Sequence, residues 1–264
     1  MSLANIILYS PPNVGMQNWN TTLDASDATP KEKKGAIRVT HDEVLGPRWF
    51  MYCRFDQSGG AGADNPVAFR GLVSVSATSN GTVNTVNGAS FPTGEYTGNG
   101  VLAGGIIRCL DDAGAAGAAP EGEVGLVAKN SATVITLDPA SPFSVATASS
   151  DTFRVELPWA VVDTAAGNTA ALVAGVSIVT QPQYYWGWVQ FAGNHPGVTC
   201  VAAGTAITAG KSLIVGTNLV TDGSTSAAEL RIGYATHGVT TDTVRRKVPM
   251  KLFCGMAFAF GASA

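Results

Sequence analysis

The sequence predicts an all-β protein: an antiparallel, sandwich- or barrel-like β domain with an extended N-terminal arm and Gly/Ala-rich loops. Three observations predict it. Short runs rich in Val, Ile, Thr, Phe, Tyr and Trp recur along the 264 residues at the roughly 8–12-residue spacing of sandwiches and barrels. Gly, Asn, Asp and Pro separate the runs, with 31 Gly and 13 Pro in the chain, and these residues set the backbone angles of turns. A helical period of 3.6 is nearly absent. In the window 169–178 Ala and Leu favour helix, but Gly175 and the Val, Ile and Thr around it pull toward strand.

Residues 1–36 mix Asn, Pro, Thr, Asp and Lys around an isolated Trp19 and hold neither a 3.6 nor a 2.0 period, which reads as an arm. Runs 36–40 and 48–55 then form a hairpin through the turn residues Asp42 to Pro47. Alternation along the second run puts Trp49, Met51, Cys53 and Phe55 on one face and Phe50, Tyr52, Arg54 and Asp56 on the other, so both faces call for cover. Further strands are expected at 68–77, 104–109, 122–128, 132–137 and 152–157. In the last of these Phe153, Val155 and Leu157 point inward and Thr152, Arg154 and Glu156 outward. The links 79–88 and 113–125 read as surface loops. Toward the C-terminus, strands are expected at 170–180, 183–191, 198–203, 211–215, 229–236 and 247–260. The chain thus divides into an arm, 1–36, a β-rich part, 37–160, and a second β-rich part, 161–264.

Composition narrows the function classes. Charged residues make up 13% of the chain and the net charge is −3, so no global field steers it toward nucleic acid or an anionic membrane. At 45% hydrophobic, it has enough apolar surface to fold. The first basic residue is Lys31, well past the apolar run 3–9, so no secretory signal is expected and the protein is expected to be made in the cytoplasm of its host. No stretch of about 18 apolar residues suggests a membrane-spanning helix. Cys53, Cys109, Cys200 and Cys254 lie far apart and read as buried free thiols, not as a zinc site.

No motif signals catalysis. His41, His195 and His237 are remote from any nucleophile signature. Asp111 and Asp112 are adjacent and therefore face opposite ways on a strand, which does not suit the paired carboxylates of a glycosidase. No phosphate loop or EF-hand pattern occurs. No cofactor, metal or small-molecule substrate is implied.

Two basic clusters, Lys31-Lys33-Lys34 and Arg245-Arg246-Lys247, read either as solvated charge or as docking points for an acidic neighbour. The richest aromatic run, Tyr184-Tyr185-Trp186-Gly187-Trp188, contains no basic residue and so is no nucleic-acid platform. In a strand, Tyr184, Trp186, Trp188 and Gln190 share one side and Tyr185, Val189 and Phe191 the other. The rings serve either as core alone or as core and interface together.

The segments GWVQFAG (187–193), VAAGTAITAGKSL (201–213) and IGYA (232–235) resemble β-rich repeats of tailed-phage capsid decoration, or cement, proteins and related virion proteins. The stretches AKNSATVITLD (128–138) and DTFRV (151–155) are similar to another strand pair of that family. The chain departs from the simpler members in its Gly/Ala-rich insertion between Ser79 and Ala119 and in its long arm. The resemblance implies a non-enzymatic virion protein that binds the capsid's outer surface and clamps major capsid subunits, and it implies no catalytic residue. Partners implied are the major capsid protein and further copies of the chain, as a homotrimer or homodimer. Residues expected to bind partners are Trp19, Lys31, Lys33, Lys34, Tyr184, Trp186, Trp188, Arg245 and Arg246. A tail or head fibre whose rings stack on host glycans is the alternative.

Overall fold

A computed structural model describes residues 19–56, 58, 60–70, 73–93, 99–112, 117–163, 173–199, 206–215, 220–222, 231–239 and 247–253. These residues form strands, turns and loops with no helix, as the all-β pattern requires. They fall into two compact units. One comprises the described residues up to Phe69 together with those from Trp159 onward; the other is Arg70–Pro158, inserted between them.

The first unit begins with β1 (Ile37–Asp42), β2 (Gly46–Phe55) and β3 (Pro66–Phe69); the inserted unit holds β4 (Val73–Ser76), β5 (Ser79–Thr82), β6 (Thr85–Asn87), β7 (Ile106–Asp111), β8 (Val124–Asn130), β9 (Val134–Leu137) and β10 (Thr152–Glu156). The chain then returns to the first unit with β11 (Ala160–Asp163), β12 (Val173–Ser177), β13 (Trp186–Thr199), β14 (Ser212–Val215), β15 (Val220–Asp222), β16 (Arg231–Ala235) and β17 (Lys247–Phe253).

The first unit is one ten-stranded sheet in the order β1-β2-β11-β3-β12-β13-β17-β16-β14-β15. β2 also pairs with β13, so the pairings β2–β11–β3–β12–β13 lead back to β2. The expected hairpin is present, with Ile37 opposite Met51 and Asp42 opposite Gly46. Its turn is set locally: Asp42 Oδ1 accepts the N–H groups of Val44 and Leu45, both at 2.9 Å. Those two bonds hold the Asp42 carboxyl below the ordinary carboxylate range. Gly46 closes the turn with φ at 73°, where a side chain is strained.

The alternation read along β2 holds. Cys53 and Phe55, with Met51 beside them, join Val67, Val161, Ala174 and Val189 in one core cluster. Phe50, Tyr52 and Arg54, on the opposite face, are also fully buried. A second cluster gathers Val173, Val176, Val198, Leu213, Ile232, Met250 and Leu252 toward the other end of the sheet.

The inserted unit is a seven-stranded sheet, β4-β10-β7-β8-β9-β6-β5, antiparallel throughout. Phe153, Val155 and Leu157 point inward as expected. Val101 and Leu102 complete that core, held by Asn130, whose Oδ1 accepts Leu102 N–H at 2.8 Å and whose Nδ2 donates to Pro92 O at 2.9 Å. Cys109 is buried among them and its thiol pKa is pushed up to about 11, chiefly by desolvation.

Several elements differ from the sequence reading. The run 68–77 is two strands in different units, β3 and β4, and residues 79–88 form the hairpin β5–β6 in place of a loop. Runs 183–191 and 198–203 merge into the fourteen-residue β13, because a register irregularity between His195 and Val198 carries the strand past Pro196 and Gly197. β11 lies outside the expected strands; its four residues follow a turn at Pro158 and Trp159 and are too few to show an alternation of their own. The sequence reading divides the chain near residue 160, whereas contacts group residues on either side of the inserted segment, because β11 hydrogen-bonds to β2 and β3. Cys200, Cys254 and residues 254–260 lie outside the described residues.

Candidate partner-docking surface

The outer face of β2 and β13 is an aromatic platform. In the antiparallel register Trp188 lies opposite Tyr52 and Trp186 opposite Arg54. Tyr52 stacks on Trp186 with ring centroids 5.8 Å apart and tilts against Trp188 at 5.1 Å. Arg54 lies over Trp186 and forms a two-pronged ion pair with Asp56, at 2.6 and 3.1 Å, with neither side chain exposed.

Residues 19–36 form a strap across this platform. Trp19 meets Trp188 edge to face at 5.3 Å. The Arg38 guanidinium lies within 6 Å of both rings and donates to Thr21 O at 3.0 Å. Burial pulls its pKa below the ordinary arginine value, and nearby Glu32 acts in the opposite direction. Asp27 exchanges backbone hydrogen bonds with Trp186 at 2.9 and 2.8 Å, and its carboxylate accepts from Tyr52 Oη at 2.8 Å and Thr21 Oγ1 at 2.9 Å. Desolvation, reinforced by Asp27, drives the Tyr52 phenol well above its ordinary pKa. Gln181 Nε2 donates to Ala25 O at 2.9 Å, over the position where Gly187 has no side chain.

The strap turns its lysines outward. Lys31, Lys33 and Lys34 are exposed, while Glu32 is half-buried and accepts from Asn20 N–H. Lys34 Nζ lies 5.1 Å from the Trp159 ring and 5.6 Å from Trp186. The three lysines, Glu32, Trp19 and Pro30 line an open depression of about 610 Å³. Three ammonium groups against one carboxylate, Glu32, beside the Trp19 ring favour an anionic or acidic ligand there.

The structure therefore brings together Trp19, Lys31, Lys33, Lys34, Trp186 and Trp188, with both β13 indoles fully buried beneath the strap. Tyr184 is half-buried at the entrance to β13, its backbone N–H bonded to Phe55 O at 2.6 Å, away from the depression. Arg245 and Arg246 lie outside the described residues. Sequence reasoning missed Asp27 and Arg38 as the groups that hold the strap. Arg38 had no signal beyond its place in β1, and Asp27 none, since neither has a motif neighbour.

Among the described residues no three His, Cys, Asp or Glu side chains are placed to hold a metal ion, and no helix is long and apolar enough to cross a membrane. Asp111 is exposed at the end of β7. His195 is buried, its Nδ1 accepting Gly197 N–H at 3.1 Å. The chain matches no protein-family model, no curated protein and no solved structure.

Proposed function

We propose that the protein is a structural component of a virion that binds the outer surface of a phage capsid and cements neighbouring major capsid subunits, acting as a homo-oligomer. The observation that carries this reading is the strap: residues 19–36 are anchored on the chain's own sheet through aromatic and buried polar contacts, yet present Lys31, Lys33 and Lys34 around one depression. In a chain with only 13% charged residues, three clustered cations on a rigid base suit docking onto an acidic patch of a shell subunit. Repetition over a lattice multiplies such a modest contact through avidity. The strand circuit β2–β11–β3–β12–β13 reads as a small barrel, a closed scaffold that supports the strap without a free edge at those strands.

For the alternative, a fibre stacking exposed Trp or Tyr rings on host glycans, Trp186 and Trp188 offer no free ring, since both indoles are fully buried. The test is sedimentation of undecorated capsids with the wild-type chain and with the triple variant Lys31→Glu, Lys33→Glu, Lys34→Glu. The variant is expected to lose most binding and to keep its fold by circular dichroism, because all three side chains are exposed. The double variant Lys31→Glu, Lys33→Glu, which keeps the contacts of Lys34 with Trp159 and Trp186, is expected to lose binding with an unchanged thermal midpoint. Undiminished decoration by the variant would contradict the assignment of the depression.

A further inference from the structure

The inserted sheet carries apolar side chains on both faces. One face is the core; on the other, Ile106, Leu110, Val124 and Leu126 are 36 to 46% exposed. A sheet with one solvated face normally turns polar residues outward. Here Ile106 stands directly opposite Leu126, and Arg108 opposite Val124. On the other side of β7, Arg154 stands opposite Arg108 and Glu156 opposite Ile106, while Ser74 of β4 continues the row beyond Arg154.

The charges on this face are not settled within the chain. Like charges directly opposite each other weaken a strand pair. Arg108 donates to Gly122 O at 3.2 Å, but Arg154 and Glu156, two positions apart on β10 and both exposed, make no hydrogen bond or ion pair among the described residues.

We propose that this face is where the protein self-associates: a second copy stacks on it about a two-fold axis, bringing Ile106, Val124 and Leu126 of the two chains together and setting Arg154 of each chain against Glu156 of the other. A two-fold contact must be self-complementary, and a face bearing the cations Arg108 and Arg154 and the anion Glu156 beside an apolar row meets that condition. A uniformly acidic neighbour would instead leave Glu156 against like charge. Seven strands at ~4.8 Å spacing, about five residues long, present roughly 500 Å² per copy. Two copies then bury about 1,000 Å², the lower end of specific interfaces. The inference rests on the self-association named in the proposed function and locates it.

The test is sedimentation equilibrium of the full chain with Arg154→Glu, Glu156→Arg and the double exchange, circular dichroism confirming that each variant folds. Each single change is expected to weaken association about tenfold or more. The double exchange is expected to restore it, and an equimolar mixture of the two single variants to associate as well. A wild-type chain that stays monomeric, single variants that associate like the wild type, or a double exchange no better than the singles would each overturn the proposal. So would intact association of Arg154→Glu combined with loss of its capsid binding, which would assign the face to a different protein. Capsid sedimentation run in parallel separates the two readings: a monomer that decorates capsids overturns this interface alone, and a dimer that ignores them overturns the virion reading alone.

Discussion

Arg54 and Asp56 alternate along β2 and its exit, and both side chains are fully buried, with Arg54 against the Trp186 ring. The pair is an unusual component for a chain so poor in charge. Burying one charge alone costs far more than burying a hydrogen-bonded pair. Asp56→Ala is therefore expected to destabilise the fold by about 3–5 kcal/mol in urea titration, because it leaves the guanidinium uncompensated. The double variant Arg54→Met, Asp56→Leu is expected to cost less than the single change. A single change as mild as an ordinary surface substitution would show that the pair contributes little. The alternation of β2 already placed Arg54 on a face with Phe50 and Tyr52, but its burial with Asp56 was not legible there, since it depends on β13 pairing with β2 and setting Trp186 against Arg54.

At the scale of elements, the strap and β13 form one device. β13 supplies two indoles on its outer face and a glycine between them, and that glycine makes room for Gln181 to reach the strap backbone. A side chain at Gly187 would collide with the Gln181 amide and crowd Ala25 O. Gly187→Ala is therefore expected to loosen the strap selectively: faster amide exchange within residues 19–36, measured by mass spectrometry, with protection of β3 and β12 retained. Unchanged exchange in the strap would show that the aromatic contacts alone hold it. The sequence reading of residues 1–36 as an arm rested on missing periodicity. That signal reports the absence of regular structure and not the absence of packing, which is why the contacts of residues 19–36 with their own sheet were not legible.

At the scale of the whole molecule, the chain leaves the first unit at the end of β3 and re-enters it at β11, and these strands are antiparallel neighbours with Phe69 opposite Val161. Topologically the inserted unit is the long connection of a β3–β11 hairpin, and shortening such a connection has only a logarithmic entropic effect. Replacing residues 70–158 with a short Gly/Ser linker is expected to leave a chain that unfolds cooperatively and keeps its near-ultraviolet indole signal, since all five Trp lie outside the excised segment. Loss of that signal would show that the first unit depends on the insertion. The proposed roles divide along the same line, with the lysine-bearing strap on one unit and the self-complementary face on the other.

The amino-acid sequence by itself determined the strand-rich character of the protein, the β1–β2 hairpin, the two-faced burial of β2 and the inward face of β10. These follow from side-chain alternation and turn chemistry, which act over a few residues. It also singled out Trp19, the lysine cluster and the Trp186–Trp188 run, as separate features. Only the tertiary structure decided that they meet in one place, that residues 68–77 part into two units, and that β11 joins β2 and β3. Those outcomes depend on pairings between segments more than a hundred residues apart, such as Tyr52 with Trp188 or Ala25 with Gln181. Local propensity is the same whichever distant strand becomes the neighbour, so the choice is made by the packing of the assembled sheet.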